Sequence, residues 1–238
     1  MANVAVITGA TSGIGLETAR LLAQEGWSLV LAGRRESVLL EVSAECLNLG
    51  APSAAPVPCD LTVAEETQRP ADAATGFVDG NGRVALVNSA GIASFGAFES
   101  SDLKNSVDQI EVNLNGLMRA THALLPILRQ AESGHVINVL SISATHAFSG
   151  ATAYCASKAG ALMFSRCLAQ EVRREGIRVT ALLPGSTDTP LWDKGDWKPP
   201  VEDMLSAHAV AEVIRDVLLS PLDRSYDEIT LMPPKGIL

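Results

Sequence analysis

Seven short apolar runs alternate along the chain with longer amphipathic segments. The runs are VAVIT (4–8), SLVLAG (28–33), AAPVPCD (54–60), RVALVNSAG (83–91), HVINVLSIS (135–143), IRVTALLPG (177–185) and EITLM (228–232). Strands that are apolar along most of their length are buried on both faces, and strands that alternate with helices pair in parallel. The pattern therefore predicts an α/β fold, in which a doubly wound, parallel, seven-stranded sheet has helices on both faces.

The segments between the runs carry helical patterns of unequal strength. The clear patterns cover 14–26, 36–50, a long stretch around 101–130, and 152–175. The stretch 62–82 is weaker, because Pro70 interrupts its pattern and DGNG (79–82) is typical of a turn. Since no linker, repeat or low-complexity block divides the chain, we expect one domain over residues 1–238.

A glycine-rich stretch, TGATSGIG, follows the first predicted strand and opens the first predicted helix. In that position glycines let the backbone approach a pyrophosphate, and the helix amino terminus offers it free N–H groups and a partial positive charge. Because the spacing is G-x-x-x-G-x-G rather than the commoner G-x-G-x-x-G, an ordinary turn that needs glycine is the alternative. The predicted dinucleotide contacts here are Gly9, Thr11, Ser12, Gly13, Ile14 and Gly15.

The end of the second predicted strand indicates which dinucleotide fits. An acidic residue in this region would bind the adenosine ribose hydroxyls of NAD(H). This chain instead has Gly33, Arg34 and Arg35, with no carboxylate before Glu36. Arginine forms charge-assisted bonds with a ribose phosphate, so NADP(H) is the predicted cofactor and NAD(H) is less favoured. Arg34 is the stronger candidate, and a solvated surface pair is the alternative.

Further candidates lie where other strands end, because ligands of such sheets bind at the carboxyl edge. Asp60 closes the third apolar run and could accept a bond from the adenine amino group, with Leu61 offering its backbone N–H. The fourth run ends in NSAG, which contributes Asn88, Ala90 and Gly91. These residues are predicted to continue the cofactor site beyond the glycine-rich turn.

Tyr154 and Lys158 are four residues apart in YCASK, so on a helix they share one face. The chain also carries Asn113 in VNLNG, Ser141 in VLSIS, and LLPGSTDT after the sixth run. Together with TGATSGIG and NSAG, these motifs occur in the order and spacing of the short-chain dehydrogenase/reductase family. The chain resembles the classical type of that family over essentially its whole length. The resemblance implies a Rossmann-like fold and an oxidoreductase that acts on CH–OH or C=O groups.

The resemblance implies four catalytic residues. Tyr154 would be the general acid and base, and Lys158 would bind the nicotinamide ribose and lower the pKa of Tyr154. Ser141 would hold the substrate carbonyl oxygen. Asn113 would support a water that passes protons to Lys158, or would mark a structural kink. The pKa of an ordinary phenol is about 10, and lowering it by about three units requires stabilising the phenolate by roughly 4 kcal/mol. A cation about 4 Å away can supply roughly that stabilisation. For Tyr154 and Lys158 the alternative is an ordinary pair on a helix surface.

The region after the sixth run is predicted to cover the site. Pro184, Gly185, Thr187 and Thr189 would contact the cofactor, and 186–206 would form a lid that holds two tryptophans, Trp192 and Trp197. Aromatic walls would suit an apolar or ring-bearing carbonyl compound, whereas packing of the lid on the core is the alternative. The predicted substrate contacts are Ser141, Ser143, His146, Tyr154 and Trp192, with Phe148 and 93–95 as further pocket candidates.

The charge and the cysteines of the chain argue against several classes of protein. A formal net charge of −9 disfavours nucleic acid or an anionic membrane as the main partner. The four cysteines form no CxxC pair, no set of histidines and carboxylates has metal-ligand spacing, and no apolar run is long enough to span a bilayer. With no signal-peptide pattern at the start, we expect a reduced, cytoplasmic protein that binds no metal.

Three functional hypotheses follow from these residues. The leading one is an NADP(H)-dependent oxidoreductase for a small or medium carbonyl or secondary alcohol substrate. The second is a non-catalytic dinucleotide sensor or scaffold on the same fold. The third is a nucleotide-sugar epimerase or dehydratase, which usually needs an added substrate domain. The resemblance also implies a homotetramer, with a dimer as the alternative, formed through the long helix before residue 130 and the helix at 152–175.

Overall fold

The computed structural model describes residues 3–78, 80–193 and 198–237. Its parallel sheet has seven strands, as the apolar runs predict. They are Val4–Thr8 (β1), Ser28–Gly33 (β2), Ala54–Pro58 (β3), Arg83–Asn88 (β4), Ser133–Val139 (β5), Ile177–Pro184 (β6) and Glu228–Leu231 (β9). Two short strands, Thr187–Asp188 (β7) and Leu205–Ser206 (β8), pair with each other outside this sheet.

The strand order across the sheet is β3-β2-β1-β4-β5-β6-β9. Val4 of β1 therefore pairs with Ser28 on one side and with Val84 on the other. The chain winds outward in opposite directions from β1 and β4, which opens a crevice at their carboxyl ends where ligands of such sheets bind. β3, β4 and β5 end earlier than their apolar runs predict, because the last residues of each run leave the sheet at this edge.

Helices cover both faces of the sheet, as predicted. They are Gly13–Gln24 (α1), Glu36–Leu49 (α2), Arg69–Thr75 (α3), Leu103–Ile110 (α4), Leu117–Leu128 (α5), Thr152–Val172 (α6) and Ala207–Leu219 (α7). α1, α2 and α7 bury side chains such as Leu22 and Leu39 on one face, and α3, α5 and α6 bury Leu124 and Leu168 on the other. Within the described residues, no helix is both long and apolar enough to cross a membrane.

Two helices differ from the expectation. Pro70 does not interrupt α3 but stands in its first turn, where a missing N–H costs nothing because that group has no partner inside the helix. The sequence patterns did not predict α7. Its start carries a recognisable signal, because Ser206 accepts a hydrogen bond from the Ala209 N–H at 3.0 Å and so caps the helix.

The long helical stretch predicted around 101–130 is divided by a π-helical segment, Glu111–Gly116, between α4 and α5. Such segments are often found at functional sites. Asn113 lies inside it and is 1% exposed. A Cβ at Gly160 of α6 would lie 2.9 Å from Cδ2 of Leu114, so the missing side chain lets α6 approach this segment closely. The segment thus lies directly beside the helix that carries YCASK.

The buried His135 of β5 should make the folded protein less stable at acid pH. Burial, together with the charges of Arg178 and Arg83, lowers its pKa to about 3. The unfolded chain binds a proton near pH 6.5 while the folded chain does not, so stability falls as pH drops from 6.5 towards 3. The expected loss between pH 7 and pH 5 is about 2 kcal/mol. Urea unfolding of the wild type and of His135→Gln measures it, because the variant should lose this part of the pH dependence. An equal pH slope in both proteins would contradict the assignment.

Candidate active site

A cavity of about 720 Å³ opens at the carboxyl edge of the sheet. It is lined by the glycine-rich turn, by the ends of β2 to β6, and by the start of α6. It brings together most of the predicted site residues: Gly9, Thr11, Ser12, Gly13, Ile14, Arg34, Arg35, Asp60, Leu61, Ala90, Gly91, Ser141, Ser143, Tyr154, Lys158, Pro184, Gly185, Thr187, Thr189 and Trp192. Gly15, Asn88, Asn113 and His146 are the predicted residues that do not line it.

The glycine-rich turn leaves no room for side chains. Gly9 and Gly13 have φ angles of +69° and +54°, which other residues rarely adopt. A Cβ at Gly9 would lie 2.8 Å from the backbone of Ala90, and one at Gly15 would lie 2.5 Å from the carbonyl oxygen of Gly9. Gly15 therefore packs α1 against the turn. Because no side chain caps α1 at Ser12, the first N–H groups of this helix are available to an anion.

Arg34 and Arg35 line the same part of the cavity but differ in their bonding. Arg35 Nη2 donates to the Thr11 carbonyl oxygen at 3.1 Å and to its Oγ1 at 2.8 Å. Arg34 makes no hydrogen bond or ion pair with any other described residue. The pKa of Asp60 is lowered mainly by hydrogen bonds from Thr62 and to a smaller extent by the charge of Arg34. The exposed Arg34 guanidinium is thus available to an anionic group.

Asn88 and His146 lie away from the cavity wall. Asn88 is buried in the sheet, and its Nδ2 donates to Oγ1 of Thr121 at 3.0 Å and to Oδ1 of Asn138 at 2.9 Å. It joins β4 to α5 and β5. His146 is exposed, with Nδ1 3.0 Å from Oγ1 of Thr145. Neither residue lines the cavity, and their contacts with a ligand remain predictions.

Asn113 holds the loop after β4 against α6. Its Oδ1 accepts from the Ile92 N–H at 2.8 Å, and its Nδ2 donates to the Ile92 carbonyl oxygen at 2.9 Å and to Ser157 Oγ at 3.0 Å. A Cβ at Gly91 would lie 3.3 Å from this Oδ1 and 3.7 Å from Nζ of Lys158. Asn113 lies in the π-helical segment Glu111–Gly116, and the predicted kink is not tested by this geometry. The water relay remains a prediction.

Ser141, Tyr154 and Lys158 come together at one end of the cavity, as predicted. Tyr154 and Lys158 lie in the first two turns of α6 and are 7% and 5% exposed. Lys158 Nζ is 5.7 Å from the centroid of the Tyr154 ring and donates to the Val139 carbonyl oxygen at 3.1 Å. Ser141 follows β5, hydrogen bonds to the Tyr154 phenol, and donates to Oγ of Ser143 at 3.1 Å.

The acidity of Tyr154 differs from the expectation. Burial raises its pKa to about 12, and the hydrogen bond with Ser141 opposes this only in part. Burial also lowers the pKa of Lys158 to about 8. Lys158 does not contribute to this shift, and its Nζ donates to the Val139 carbonyl oxygen instead. Tyr154 consequently carries its proton at neutral pH, as a proton donor must.

The segment after β6 lies over the glycine-rich turn. A Cβ at Gly13 would be 3.1 Å from Cγ2 of Thr189. Trp192 Nε1 donates to the Thr187 carbonyl oxygen at 2.9 Å, which fixes the indole beside the cavity. Pairing of β7 with β8 ties this segment to the start of α7. Trp197, the other tryptophan of the predicted lid, lies outside the described residues.

Sequence reasoning missed two buried hydroxyl and amide groups that support the site. The Ser157 hydroxyl donates to the Tyr154 carbonyl oxygen at 2.7 Å while accepting from Asn113. Asn138 on β5 donates to Oγ of Ser165 at 2.8 Å, which links the sheet to α6. Each could have been found from the sequence. Asn138 is a polar residue within an apolar strand, Ser157 is a polar residue among the small residues of a helix, and buried polar groups need partners.

The chemistry of the cavity follows from these groups. At one end it offers unpaired backbone N–H groups and an arginine, which suit phosphates. At the other end it offers a protonated phenol, a hydroxyl and a buried ammonium, which suit an oxygen atom that gains or loses a proton. Within residues 3–78, 80–193 and 198–237, no three His, Cys, Asp or Glu side chains converge as metal ligands would.

Comparison with known proteins agrees with this geometry. The family model for short chain dehydrogenases matches residues 3–198. An uncharacterized oxidoreductase of Staphylococcus saprophyticus is 34% identical over 234 residues, which cover 97% of each chain. An alcohol dehydrogenase from the archaeon Thermococcus sibiricus, solved with 5-hydroxy-NADP, has a TM-score of 0.88 at 27% identity over 98% of this chain and 97% of its own. An actinorhodin polyketide ketoreductase variant, solved with NADPH, has a TM-score of 0.85 at 28% identity over 98% and 96%. The chain therefore belongs to the short-chain dehydrogenase family of oxidoreductases.

Proposed function

We propose that this protein is an NADP(H)-dependent oxidoreductase that interconverts a small or medium carbonyl compound and its secondary alcohol. The observation that carries the proposal is the position of the Ser141, Tyr154 and Lys158 group. It lies at one end of a cavity whose other end is the glycine-rich turn with Arg34. A dinucleotide held by the turn would extend along the cavity towards the buried phenol.

The residues of the cavity fit a nicotinamide dinucleotide. Gly9 and Gly13 leave the turn free of side chains, and the first N–H groups of α1 would hold the pyrophosphate. Asp60 and Leu61 would contact the adenine, and Thr187 and Thr189 would contact the other end of the cofactor. When bound, the nicotinamide ring supplies or takes up the hydride. Two structural relatives were solved with NADP or NADPH-type ligands, which supports the same class of cofactor here.

Proton transfer would be the task of Tyr154. In the reductive direction the protonated phenol would give its proton to the substrate oxygen, which the Ser141 hydroxyl would hold by a hydrogen bond. At neutral pH a phenol whose pKa is about 12 is almost wholly protonated, so the oxidative direction, which needs the phenolate as base, requires additional positive charge near its oxygen. Lys158 is buried within reach of the ring and would provide that charge when protonated.

Arg34 is the residue we propose to select NADP(H) over NAD(H). Loss of a charge-assisted bond to the ribose phosphate in Arg34→Gln should raise the KM for NADPH by roughly 10- to 100-fold and leave the KM for NADH nearly unchanged. Initial rates at varied cofactor concentration give both values. Arg35→Gln is the matched comparison, because Arg35 bonds to Thr11 and its loss should shift the two KM values together. A preference for NADPH that survives in Arg34→Gln would contradict the role of Arg34.

The overall proposal is tested by a panel of ketones, aldehydes and secondary alcohols assayed with NADPH and with NADH. We expect oxidation of NADPH that depends on a carbonyl substrate, with NADH less effective. A clear preference for NADH would refute the cofactor assignment. Tight binding of NADPH with no turnover of any compound would instead favour the dinucleotide sensor.

We also propose the segment 186–206 as the lid of this site and a homotetramer as the assembly, with a dimer as the alternative. Exposed apolar side chains on α4, α5 and α6 support association through these helices; they include Leu103, Val107, Met118 and Met163. Analytical ultracentrifugation distinguishes the two assemblies, and a monomer at micromolar concentration would contradict both.

A further inference from the structure

Three aromatic rings from different parts of the chain meet above the proton-donating end of the cavity. The ring of Phe95, in the loop after β4, stacks on Trp192 with a centroid distance of 5.5 Å and an interplanar angle of 18°. The same ring meets Tyr154 edge-on at 5.9 Å and 66°. Aromatic pairs in these arrangements are favourable beyond the area they bury. Any substrate whose oxygen reaches the phenol must therefore lie against Phe95, Trp192 or both.

The surroundings of these rings are apolar. Ala93, Ala151 and Tyr154 form a buried cluster on which Phe148 and Leu191 pack. Of the described residues that line the cavity, the charged ones are Arg34, Arg35, Asp60 and Lys158.

Three of these charges do not face this apolar cluster, because Arg34, Arg35 and Asp60 follow β2 and β3, beside the glycine-rich turn. The fourth, Lys158, lies 5.7 Å from the Tyr154 ring, and its Nζ donates to the Val139 carbonyl oxygen. A carboxylate or phosphate on the substrate would have to lose its hydration against apolar side chains, which is costly without a partner.

The two stacked rings are held unequally. Trp192 is fixed by the hydrogen bond from its Nε1 to the Thr187 carbonyl oxygen. Phe95 is 40% exposed and precedes Gly96, whose φ is +150° and around which a Cβ would meet no atom within 4 Å. The backbone of this loop is held by the hydrogen bond from the Gly96 N–H to the Gly150 carbonyl oxygen at 2.8 Å. This bond does not involve the Phe95 side chain. We therefore expect Phe95 to turn aside more readily than Trp192.

We propose that Phe95 and Trp192 form an aromatic clamp that selects uncharged, ring-bearing ketones and secondary alcohols. The ring of the substrate would take the place of Phe95 on the indole of Trp192, with Phe95 closing on its other side and the oxygen directed to Tyr154 and Ser141. This inference rests on the proposed function and adds the substrate class to it. The clamp replaces one aromatic contact by two, so it favours a flat ring over a saturated ring of similar size.

Matched ketones test the clamp. Acetophenone carries a flat ring, cyclohexyl methyl ketone a saturated one, and benzoylformate a flat ring with a carboxylate. For the wild type with NADPH, we expect kcat/KM for acetophenone to exceed that for cyclohexyl methyl ketone by roughly fivefold to tenfold, as aromatic contacts are worth in other proteins. We expect benzoylformate to be at least about 100-fold worse than acetophenone, because its charge is desolvated.

Variants identify the residues responsible. Phe95→Leu and Trp192→Leu keep apolar volume but lose a ring, so each should bring the ratio of kcat/KM for acetophenone to kcat/KM for cyclohexyl methyl ketone close to one. Trp192→Phe restores a ring without the indole N–H and should keep most of the preference. Phe98→Leu is the control, since Phe98 is 56% exposed and does not line the cavity. An unchanged preference in both leucine variants, or efficient reduction of benzoylformate, would overturn the clamp.

A binding measurement separates the clamp from the proposed activity. Calorimetric titration of the full chain with benzamide and with cyclohexanecarboxamide compares a flat and a saturated ring without any reaction. Tighter binding of benzamide that is lost in Phe95→Leu supports the clamp even if no ketone is reduced. Reduction of both ketones with equal efficiency, together with equal binding of the two amides, would remove the clamp and leave the oxidoreductase proposal standing.

Discussion

Replacing Tyr154 by phenylalanine should lower kcat for carbonyl reduction by about 10²- to 10⁴-fold, the contribution of a positioned general acid. The phenol is buried, protonated at neutral pH and hydrogen bonded to Ser141, so its proton is the one best placed for the substrate oxygen. The ring itself remains in the variant, and with it the contact to Phe95. Steady-state kinetics with NADPH should therefore show a large loss of kcat with a small change in KM for the cofactor.

The other tyrosine supplies the control for this experiment. Tyr226 is 39% exposed and does not line the cavity, so Tyr226→Phe should keep the wild-type kcat. Tryptophan fluorescence on titration with NADPH should show that Tyr154→Phe still binds the cofactor. Near-normal turnover by Tyr154→Phe would contradict the assignment of Tyr154 as the proton donor.

Replacing Asn113 by alanine should destabilise the protein by about 2–4 kcal/mol, because several buried hydrogen-bonding groups lose their partner at once. The Ile92 N–H and carbonyl oxygen would both be left without the amide that now bonds them, and Ser157 would lose the bond it accepts. The loop after β4, which leads to Phe95, would be loosened as a consequence. Urea unfolding at pH 7 measures the change in the free energy of unfolding.

Asn115 is the matched control in the same π-helical segment. Its Nδ2 donates to the Glu111 carboxylate at 2.6 Å, Glu111 also pairs with Arg119, and all three residues are only partly buried. Because Glu111 keeps Arg119 as a partner, Asn115→Ala should change stability by only about 1 kcal/mol, the net value of one hydrogen bond. If Asn113→Ala were as stable as the wild type but inactive, Asn113 would act only in proton relay and would not hold the loop after β4 in place.

The sheet could be predicted because its signal is local and repeated. Residues such as Ile7 and Leu86 lie in runs that are apolar on both sides, and burial on both faces of a parallel sheet requires that pattern. Tyr154 and Lys158 could be placed together because four residues span one turn of any helix.

Other features depend on contacts between distant parts of the chain. Asn88 and Asn113 stand in motifs that suggest a ligand, yet their partners at Thr121, Asn138 and Ile92 are seen only once the fold is formed. The pKa of Tyr154 could not be predicted either. The four-residue spacing shows that Lys158 is near the phenol, but it does not show how deeply both groups are buried, and burial is the main cause of the pKa shift.

Transfer of deuterium from NADPH that carries deuterium at both C4 positions of the nicotinamide ring tests the central claim most directly. The wild type is mixed with the labelled cofactor and a ketone that it consumes, and the alcohol is analysed by mass spectrometry. The account predicts one deuterium on the carbinol carbon for each NADPH oxidised, and at least about 100-fold less labelled product from Tyr154→Phe over the same time. NADPH that binds but is not oxidised by any carbonyl compound, or an alcohol that carries no deuterium at that carbon, would contradict it.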